Sequence, residues 1–185
     1  KDHELAKKAA EESAVLLKNE GVLPLKPGRK ILVVGEFAMT PRYQGGGSSH
    51  INTTTVDSPW EYLCKAVGFQ ENISYSKGFS VKGGGIIAER EEALCMAENA
   101  DIVVVFAGLP ESFESEGYDR THMRLPEEQN ELIQMLAQAG HDVVVVLQNG
   151  APVEMPWIQQ VKAVLEAYLG GEAVGSALAD ILTGK

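Results

Sequence analysis

The sequence predicts an α/β fold in which a mostly parallel β-sheet lies between two layers of helices. Three runs of mainly β-branched residues lead to this prediction: Ile31–Val34 (ILVV), Ile102–Phe106 (IVVVF) and Val143–Leu147 (VVVVL). Their apolar residues are continuous rather than alternating, which is typical of strands buried on both faces. Segments with helical periodicity separate the runs, so we expect right-handed crossovers between parallel strands.

The remaining elements follow from shorter signals. Apolar spacing predicts one helix over His3–Asn19. The other predicted elements are a helix that starts at Pro59 after a cap at Asp57 or Ser58, a strand Ile73–Tyr75, a turn at Gly83–Gly85, a charged helix through Asn99, a helix Glu127–Ala139, a strand Ala163–Tyr168 and a helix Ala173–Leu182. This order predicts a three-layer sandwich with doubly wound, flavodoxin-like topology, whose functional loops leave the C-terminal ends of the strands.

Length and composition suit a single compact α/β domain, since the chain has 185 residues of which 44% are hydrophobic. We assign residues 1–27 to a linker helix and connector from a preceding domain, and residues 28–185 to the α/β domain. The sequence begins at Lys1 rather than Met, so we expect a preceding segment. It contains no secretory signal and no apolar run of membrane-spanning length, which favours a cytoplasmic location and no membrane partner.

The formal net charge of −10 argues against a nucleic-acid partner, because phosphate binding requires clustered Lys and Arg. A neutral sugar meets no such objection. Cys64 and Cys95 both lie in apolar helical patterns and are predicted to be buried free thiols, with a disulfide between them as the alternative. Because His, Cys and Asp are not grouped at metal-ligand spacing, we expect neither a metal site nor a cofactor.

A glycine-rich loop follows the first buried run and reads PRYQGGGSSH at positions 41–50. Three consecutive glycines allow close backbone approaches, and the polar groups around them are those that bind sugar hydroxyls. The candidate substrate-binding residues are Arg42, Gln44, Gly46, Ser48, Ser49 and His50. A phosphate cradle fits poorly, because neither GxGxxG at a strand–helix turn nor GxxxxGK[ST] is present. The other alternative is a flexible surface loop.

An acidic loop follows the IVVVF run and reads ESFESEGYDR at positions 111–120. Four carboxylates near the end of a buried strand lie where an open α/β sheet places its chemistry. Carboxylates that are close together raise one another's pKa, as a general acid near neutral pH requires, and Arg120 is positioned to keep one of them ionised. The alternative is a solvated acidic loop. The sequence has no G-x-S-x-G elbow of a serine hydrolase.

Several segments together resemble one family in their order and spacing. They are Glu11–Leu25, Tyr43–Asn52, Phe113–Arg120, Leu125–Ile133 and Leu147–Trp157. Nearly the whole chain resembles the C-terminal α/β-sandwich domain of glycoside hydrolase family 3, the β-glucosidase family.

The resemblance implies hydrolysis of terminal β-glucosides or related β-xylosides with retention of configuration. It places the acid/base at Glu116 through the E-G-x-D-R pattern, with Glu114 as its rival, and the nucleophilic Asp on a preceding TIM-like barrel. The implied partners are that barrel and an oligosaccharide or an aryl or alkyl β-glucoside. The loop at 42–50 would line the sugar cleft.

Two departures from the family pattern bear on activity. The barrel is missing, and the chain stops at ADILTGK, where the family adds a further strand. We therefore interpret the chain as an excised domain, truncated at its C-terminal end and inactive alone, because a retaining mechanism needs two carboxylates. The alternatives are a non-catalytic carbohydrate-binding or interaction domain of the same family, and a nucleotide- or flavin-binding doubly wound domain.

Overall fold

A single six-stranded sheet organises the computed structural model, which describes residues 2–68, 72–81, 87–117 and 119–185. The strands, in chain order, are β1 (Val15–Asn19), β2 (Ile31–Val34), β3 (Ile73–Ser76), β4 (Ile102–Gly108), β5 (Val143–Gln148) and β6 (Ala163–Glu166). The helices are α1 (Asp2–Ser13), α2 (Pro59–Val67), α3 (Ile87–Ala97), α4 (Glu127–Gln138) and α5 (Val174–Thr183), and a short 3₁₀ helix covers Glu36–Ala38. The predicted turn at Gly83–Gly85 lies outside the described residues.

The order of the strands is β1-β6-β5-β4-β2-β3. Strands β2 to β6 are parallel to their neighbours, whereas β1 runs antiparallel to β6. The three runs that predicted the fold are three of the four interior strands, β5, β4 and β2. The predicted α/β sandwich with a mostly parallel sheet is therefore confirmed.

The core consists of two apolar clusters, one on each face of the sheet. Val33 and Val104 face a cluster that includes Leu63 of α2 and Leu178 of α5. Their chain neighbours, such as Val103, face a second cluster that includes residues of α3 and α4. Because successive side chains of a strand point to opposite faces, a sheet covered on both sides requires apolar residues at every position.

Part of one predicted helix is a strand in the structure. The single helix expected over His3–Asn19 ends at Ser13, and the segment that follows is strand β1, which pairs with β6. The apolar periodicity was misleading, because Leu5 and Leu16 are 69% and 51% exposed. Pairing with the free edge of β6 satisfies the backbone of this segment and outweighs its helix propensity.

The two cysteines also differ from the prediction that they are buried. Both are free, but Cys95 is exposed and Cys64 is half-buried. In α3 the buried residues are Ala93 and Ala97, so a residue between them in sequence lies on the opposite side of the helix. The prediction of free thiols holds, and the prediction of burial is wrong.

Smaller differences concern the ends of elements. Strand β6 ends at Glu166, two residues before the predicted end, and Tyr168 adopts a positive φ of 52°. Helix α2 begins at Pro59 as expected, but Ser58 donates its hydroxyl to the carbonyl of Ala38 instead of capping the helix. Asp57 does not cap the helix either, and its carboxylate instead accepts a hydrogen bond from Ser176 of α5 and lies beside His3 of α1.

Helix α1 packs against α5, and strand β1 belongs to the sheet. The proposed division between residues 1–27 and 28–185 concerns the longer protein and stays a prediction. Among the helices of the described segments, none has the length and apolar content needed to cross a bilayer.

The contact between α1 and the rest of the domain includes a cluster around His3. Its Nε2 lies 3.1 Å from Asp57 Oδ2, and its Nδ1 lies 3.2 Å from Glu172 Oε1. The hydroxyl of Ser176 also donates to Asp57. The hydrogen bonds to Glu172 and then to Asp57 raise the pKa of His3 above its ordinary value of 6.5.

This cluster predicts a pH-dependent contribution to stability. Because the pKa of His3 is higher in the folded state, its stabilisation is complete below pH 6.5 and is lost as the pH rises through the raised value. We expect the difference in free energy of unfolding between wild type and His3→Gln to be larger at pH 5.5 than at pH 8.5 in urea titrations. Lys8→Gln, on the exposed face of the same helix, should show no such change, and a His3→Gln difference that is constant with pH would contradict the prediction.

Candidate functional site

The site lies where the C-terminal ends of the parallel strands meet. From β2 the chain crosses outward to β3, and from β4 it crosses in the opposite direction to β5 and β6. The crevice between the ends of β2 and β4 is therefore a topological switch point, which is where open α/β sheets bind ligands. The glycine-rich loop leaves β2 and the acidic loop leaves β4, so the two candidate loops share one edge of the sheet.

Arg42 connects the two loops. Its guanidinium donates Nε to the carbonyl of Leu109 at 3.2 Å and Nη2 to the carbonyl of Glu114 at 3.2 Å, and Nη1 donates to the carbonyl of Gln44. Its backbone N–H donates to the side-chain carbonyl of Gln148 at 2.8 Å. With a side chain only 9% exposed, Arg42 is occupied by protein carbonyls from three strand ends.

Glu114 connects the acidic loop to the turn after β5. Its Oε1 accepts the backbone N–H of Gly150 at 2.7 Å, and its Oε2 accepts that of Ala151 at 2.9 Å. Arg42 Nη2 lies 3.8 Å from Oε1, and the Glu114 side chain is 13% exposed. Both carboxylate oxygens therefore bind the protein itself.

Glu116, two residues further on, lies in a different environment. It is exposed, and its Oε2 accepts the backbone N–H of Ser48 at 2.7 Å. Hydrogen bonds from the side chain and backbone of Ser48 hold the pKa of Glu116 below its usual value. Glu116 is therefore an accessible carboxylate at the junction of the two loops, held there by Ser48.

The glycines make this junction possible. A Cβ at Gly46 would lie 2.7 Å from Glu111 Cγ, and a Cβ at Gly47 would lie 2.6 Å from Glu116 Cβ. Gly47 also has a φ of +89°, which side chains other than glycine rarely adopt. The glycines predicted to approach a sugar closely therefore approach the acidic loop closely.

The other predicted binding residues separate into two groups. Ser48, Ser49 and His50 are exposed. Gln44 binds its own loop, because its Nε2 donates to the carbonyl of Ile51 at 2.9 Å and its Oε1 accepts the N–H of Ile51 at 3.0 Å.

A cavity of about 610 Å³ opens beside this loop. It is lined by Glu36, Phe37, Thr40, Pro41, Arg42, Tyr43, Gln44, His50, Val81, Pro110, Glu111 and Ser112. Three of the predicted binding residues therefore share one concave surface with aromatic and carboxylate neighbours. Within the described segments no three His, Cys, Asp or Glu side chains are grouped as metal ligands would be.

Arg120 does not have the role predicted for it. No ion pair among the described residues joins it to a carboxylate of the acidic loop, and its Nη2 donates to the carbonyl of Pro152 at 2.7 Å. The cation beside a carboxylate of this loop is Arg42, which comes from the other loop. The spacing within one loop gave no signal for this contact between loops.

Sequence reasoning missed three buried polar residues at the same edge: Gln148, Asn149 and Glu166, all less than 8% exposed. The available signal was a polar residue at the end of an otherwise apolar strand, as in VVVVLQ and AVLE. A polar group in such a position is buried and needs partners, which here are the site loops.

The junction predicts that Gly47 is sensitive to substitution. Gly47→Ala combines a positive φ with a Cβ 2.8 Å from Glu116 Oε2, so we expect it to cost about 1–2 kcal/mol of stability and to displace Glu116. Gly45→Ala is the matched control, because the nearest atom to its Cβ is the flexible Ser49 hydroxyl at 3.3 Å. Urea unfolding and the NMR shift of the Ser48 amide measure both effects, and equal effects of the two variants would contradict this account.

Comparison with known proteins identifies the family. The family model for the glycosyl hydrolase family 3 C-terminal domain matches residues 14–185. Thermostable beta-glucosidase B of Acetivibrio thermocellus is 55% identical over 185 residues, which cover 99% of this chain and 24% of that protein. An exo-alpha-(1->6)-L-arabinopyranosidase of Bifidobacterium longum is 43% identical over 98% of this chain and 25% of its own length.

A solved structure shows the same relationship. The GH3 beta-glucosidase of Bifidobacterium adolescentis superposes with a TM-score of 0.89 at 44% identity, over 98% of this chain and 27% of that one. The chain thus spans about a quarter of the length of these relatives. From residue 14 to its end, this chain belongs to glycosyl hydrolase family 3 and is the family's C-terminal α/β domain.

Proposed function

We propose that this domain supplies the acid/base carboxylate, Glu116, of a retaining glycosidase that hydrolyses terminal β-glucosides or related β-xylosides. The observation that carries the proposal is the contrast between two glutamates of one loop. Glu116 is exposed at the switch point, whereas the Glu114 side chain is only 13% exposed and both its oxygens accept hydrogen bonds. The relatives that are named beta-glucosidases support the reaction class.

Glu114 is poorly suited to proton transfer. A general acid must present its proton to the leaving-group oxygen within hydrogen-bonding distance. Protonation of Glu114 would compete with the N–H donors of Gly150 and Ala151, and movement toward a substrate would leave those amides without partners. We assign Glu114 to positioning the loop and Glu116 to the chemistry.

The pKa of Glu116 is lower than a general acid near neutral pH requires, because Ser48 stabilises its charged form. A retaining site also contains the charge of a nucleophilic carboxylate about 5–5.5 Å away. That charge, together with exclusion of water by the barrel and the substrate, would raise the pKa of Glu116. This domain would therefore supply the carboxylate, and the assembled site would raise its pKa so that it can carry a proton.

The candidate substrate-binding residues also divide into an exposed group and a group that is bound within the protein. Ser48, Ser49 and His50 are exposed beside Glu116 or on the same loop, and we propose that they contact the substrate. Arg42, Gln44 and Gly46 are occupied within the protein and would position that loop. The sugar itself would be selected mainly by the barrel, consistent with relatives named for a glucoside and for an arabinopyranoside.

The proposed function predicts that the chain alone is inactive. Because the proposal places one of the two required carboxylates here, the purified chain should fold and show no hydrolysis of aryl β-glucosides. Mixing it with the barrel domain of the longer enzyme, produced separately, should restore turnover if the two associate. Turnover by the chain alone at a rate typical of a glycosidase would mean that both carboxylates lie in this domain.

Substitutions in the longer enzyme distinguish the proposed roles of the two glutamates. Glu116→Ala should lower kcat by roughly 10²–10⁴-fold for an alkyl glucoside, whose leaving group needs a proton. The first step should suffer much less for a dinitrophenyl glucoside, so the glycosyl-enzyme should accumulate and added azide should speed its turnover. Glu114→Ala is the matched control and should cause a moderate loss that varies little with the leaving group. Rescue of Glu114→Ala by azide, without rescue of Glu116→Ala, would exchange the two roles.

A further inference from the structure

Glu166 is a buried carboxylic acid that the proposed reaction leaves without a role. It is the last residue of β6 and is 7% exposed. No ion pair among the described residues includes it. Burying a carboxylate without a cation is costly, and replacing it by an apolar residue of similar volume is often neutral or stabilising. Its presence in an otherwise apolar strand therefore needs a specific reason.

The contacts of Glu166 all lead to the edge that carries the site. Its Oε2 accepts Nδ2 of Asn149 at 3.2 Å, and its Oε1 accepts the backbone N–H of Tyr168 at 3.0 Å. Asn149 is 1% exposed, and its Nδ2 also donates to the carbonyl of Ala151 at 3.1 Å. Glu166 and Asn149 together therefore fix the turn that follows β5.

The turn after β5 also binds the acidic loop. Its two amides, at Gly150 and Ala151, are the donors to Glu114. Glu114 precedes Glu116 by two residues. A continuous series of hydrogen bonds therefore runs from β6 through Asn149 and the turn to the loop with the exposed carboxylate.

The same carboxyl group also supports an unusual backbone conformation. Tyr168 has a φ of 52°, which is rare for a residue other than glycine, and its ring is exposed at this edge. Strained residues persist where surrounding contacts determine them, and they concentrate at functional sites. The hydrogen bond from Tyr168 to Glu166 is such a contact.

Glu166 is suited to this structural task rather than to proton transfer. Burial raises the pKa of Glu166, and the nearby charge of Glu114 raises it further, against the opposing hydrogen bonds from Tyr168 and Asn149. A neutral carboxyl would avoid repulsion with the Glu114 carboxylate. Its burial behind the turn separates it from any substrate at the exposed edge.

We propose that Glu166 and Asn149 are a positioning pair, which sets the position of the acid/base loop through the turn at residues 149–151. The pair would act on the reaction only through Glu114, and neither residue would touch the substrate. This inference rests on the proposed role of Glu116.

The test compares variants of Glu166 in the longer enzyme. A misplacement of about 1 Å can cost about 10²-fold in rate, so Glu166→Ala should lower kcat for an alkyl glucoside by that order while KM changes little. The loss should be much smaller for a dinitrophenyl glucoside, whose departure needs no proton. Glu166→Gln keeps the shape but can accept only one of the two N–H hydrogen bonds, so it should restore only part of the rate.

Ser76→Ala is the matched control. Ser76 is also a buried polar residue at the end of a strand, but it lies on the outer strand β3 and binds Glu92. Its substitution should produce no loss that depends on the leaving group. If folded Glu166→Ala kept its kcat, or lost it equally with both leaving groups, the positioning pair would be overturned.

A second measurement does not depend on which carboxylate donates the proton. In the 185-residue chain, Glu166→Ala should speed hydrogen exchange at the Gly150 and Ala151 amides, while the amides of β5 stay protected. Unchanged exchange at Ala151 would refute the positioning pair, whatever the role of Glu116. If instead Glu116→Ala kept full activity with alkyl glucosides, the proposed function would fail separately.

Discussion

The carboxylate of Glu114, whose side chain is 13% exposed, makes the contact on which the arrangement of the site depends. It binds two backbone amides of the turn after β5 and lies beside Arg42 of the loop after β2. A hydrogen bond to a charged group contributes roughly 1.5–3 kcal/mol, so two such bonds to a side chain that is only 13% exposed favour this contact. Because Arg42 also binds the carbonyls of Leu109 and Glu114, three strand ends are connected at one place. The sheet fixes the strand ends, and these bonds fix the loops on them.

Two glutamates of the same loop have different surroundings, which is the basis for the different roles proposed for them. Glu114 is enclosed and hydrogen-bonded, whereas Glu116 is exposed and accepts the backbone N–H of Ser48. A pair of acidic groups whose environments separate their behaviour is the usual basis for assigning distinct roles. Under the proposed function, Glu114 would have a structural role and Glu116 a chemical one, and the second carboxylate of the reaction would come from elsewhere in the longer protein.

The sequence predicted the central strands well, because burial on both faces requires an uninterrupted apolar run, as in VVVVL. It also located both loops, since parallel strands place their following loops on one edge. It failed at β1, where the identity of the segment depends on a distant pairing partner, β6. For the same reason the sequence did not reveal that Arg42 lies beside the Glu114 carboxylate, or that Glu166 accepts a hydrogen bond from Asn149. Contacts between residues far apart in the chain leave no local pattern.

The most direct measurement of the central claim is an NMR titration of the glutamate carboxyl carbons in the 185-residue chain. The account predicts that Glu116 titrates below the ordinary glutamate pKa and that the Ser48 amide shift follows the same curve. The amides of Gly150 and Ala151, which bind Glu114, should not follow the Glu116 curve. A Glu116 pKa at or above the ordinary value, with a Ser48 amide that does not respond, would contradict the account.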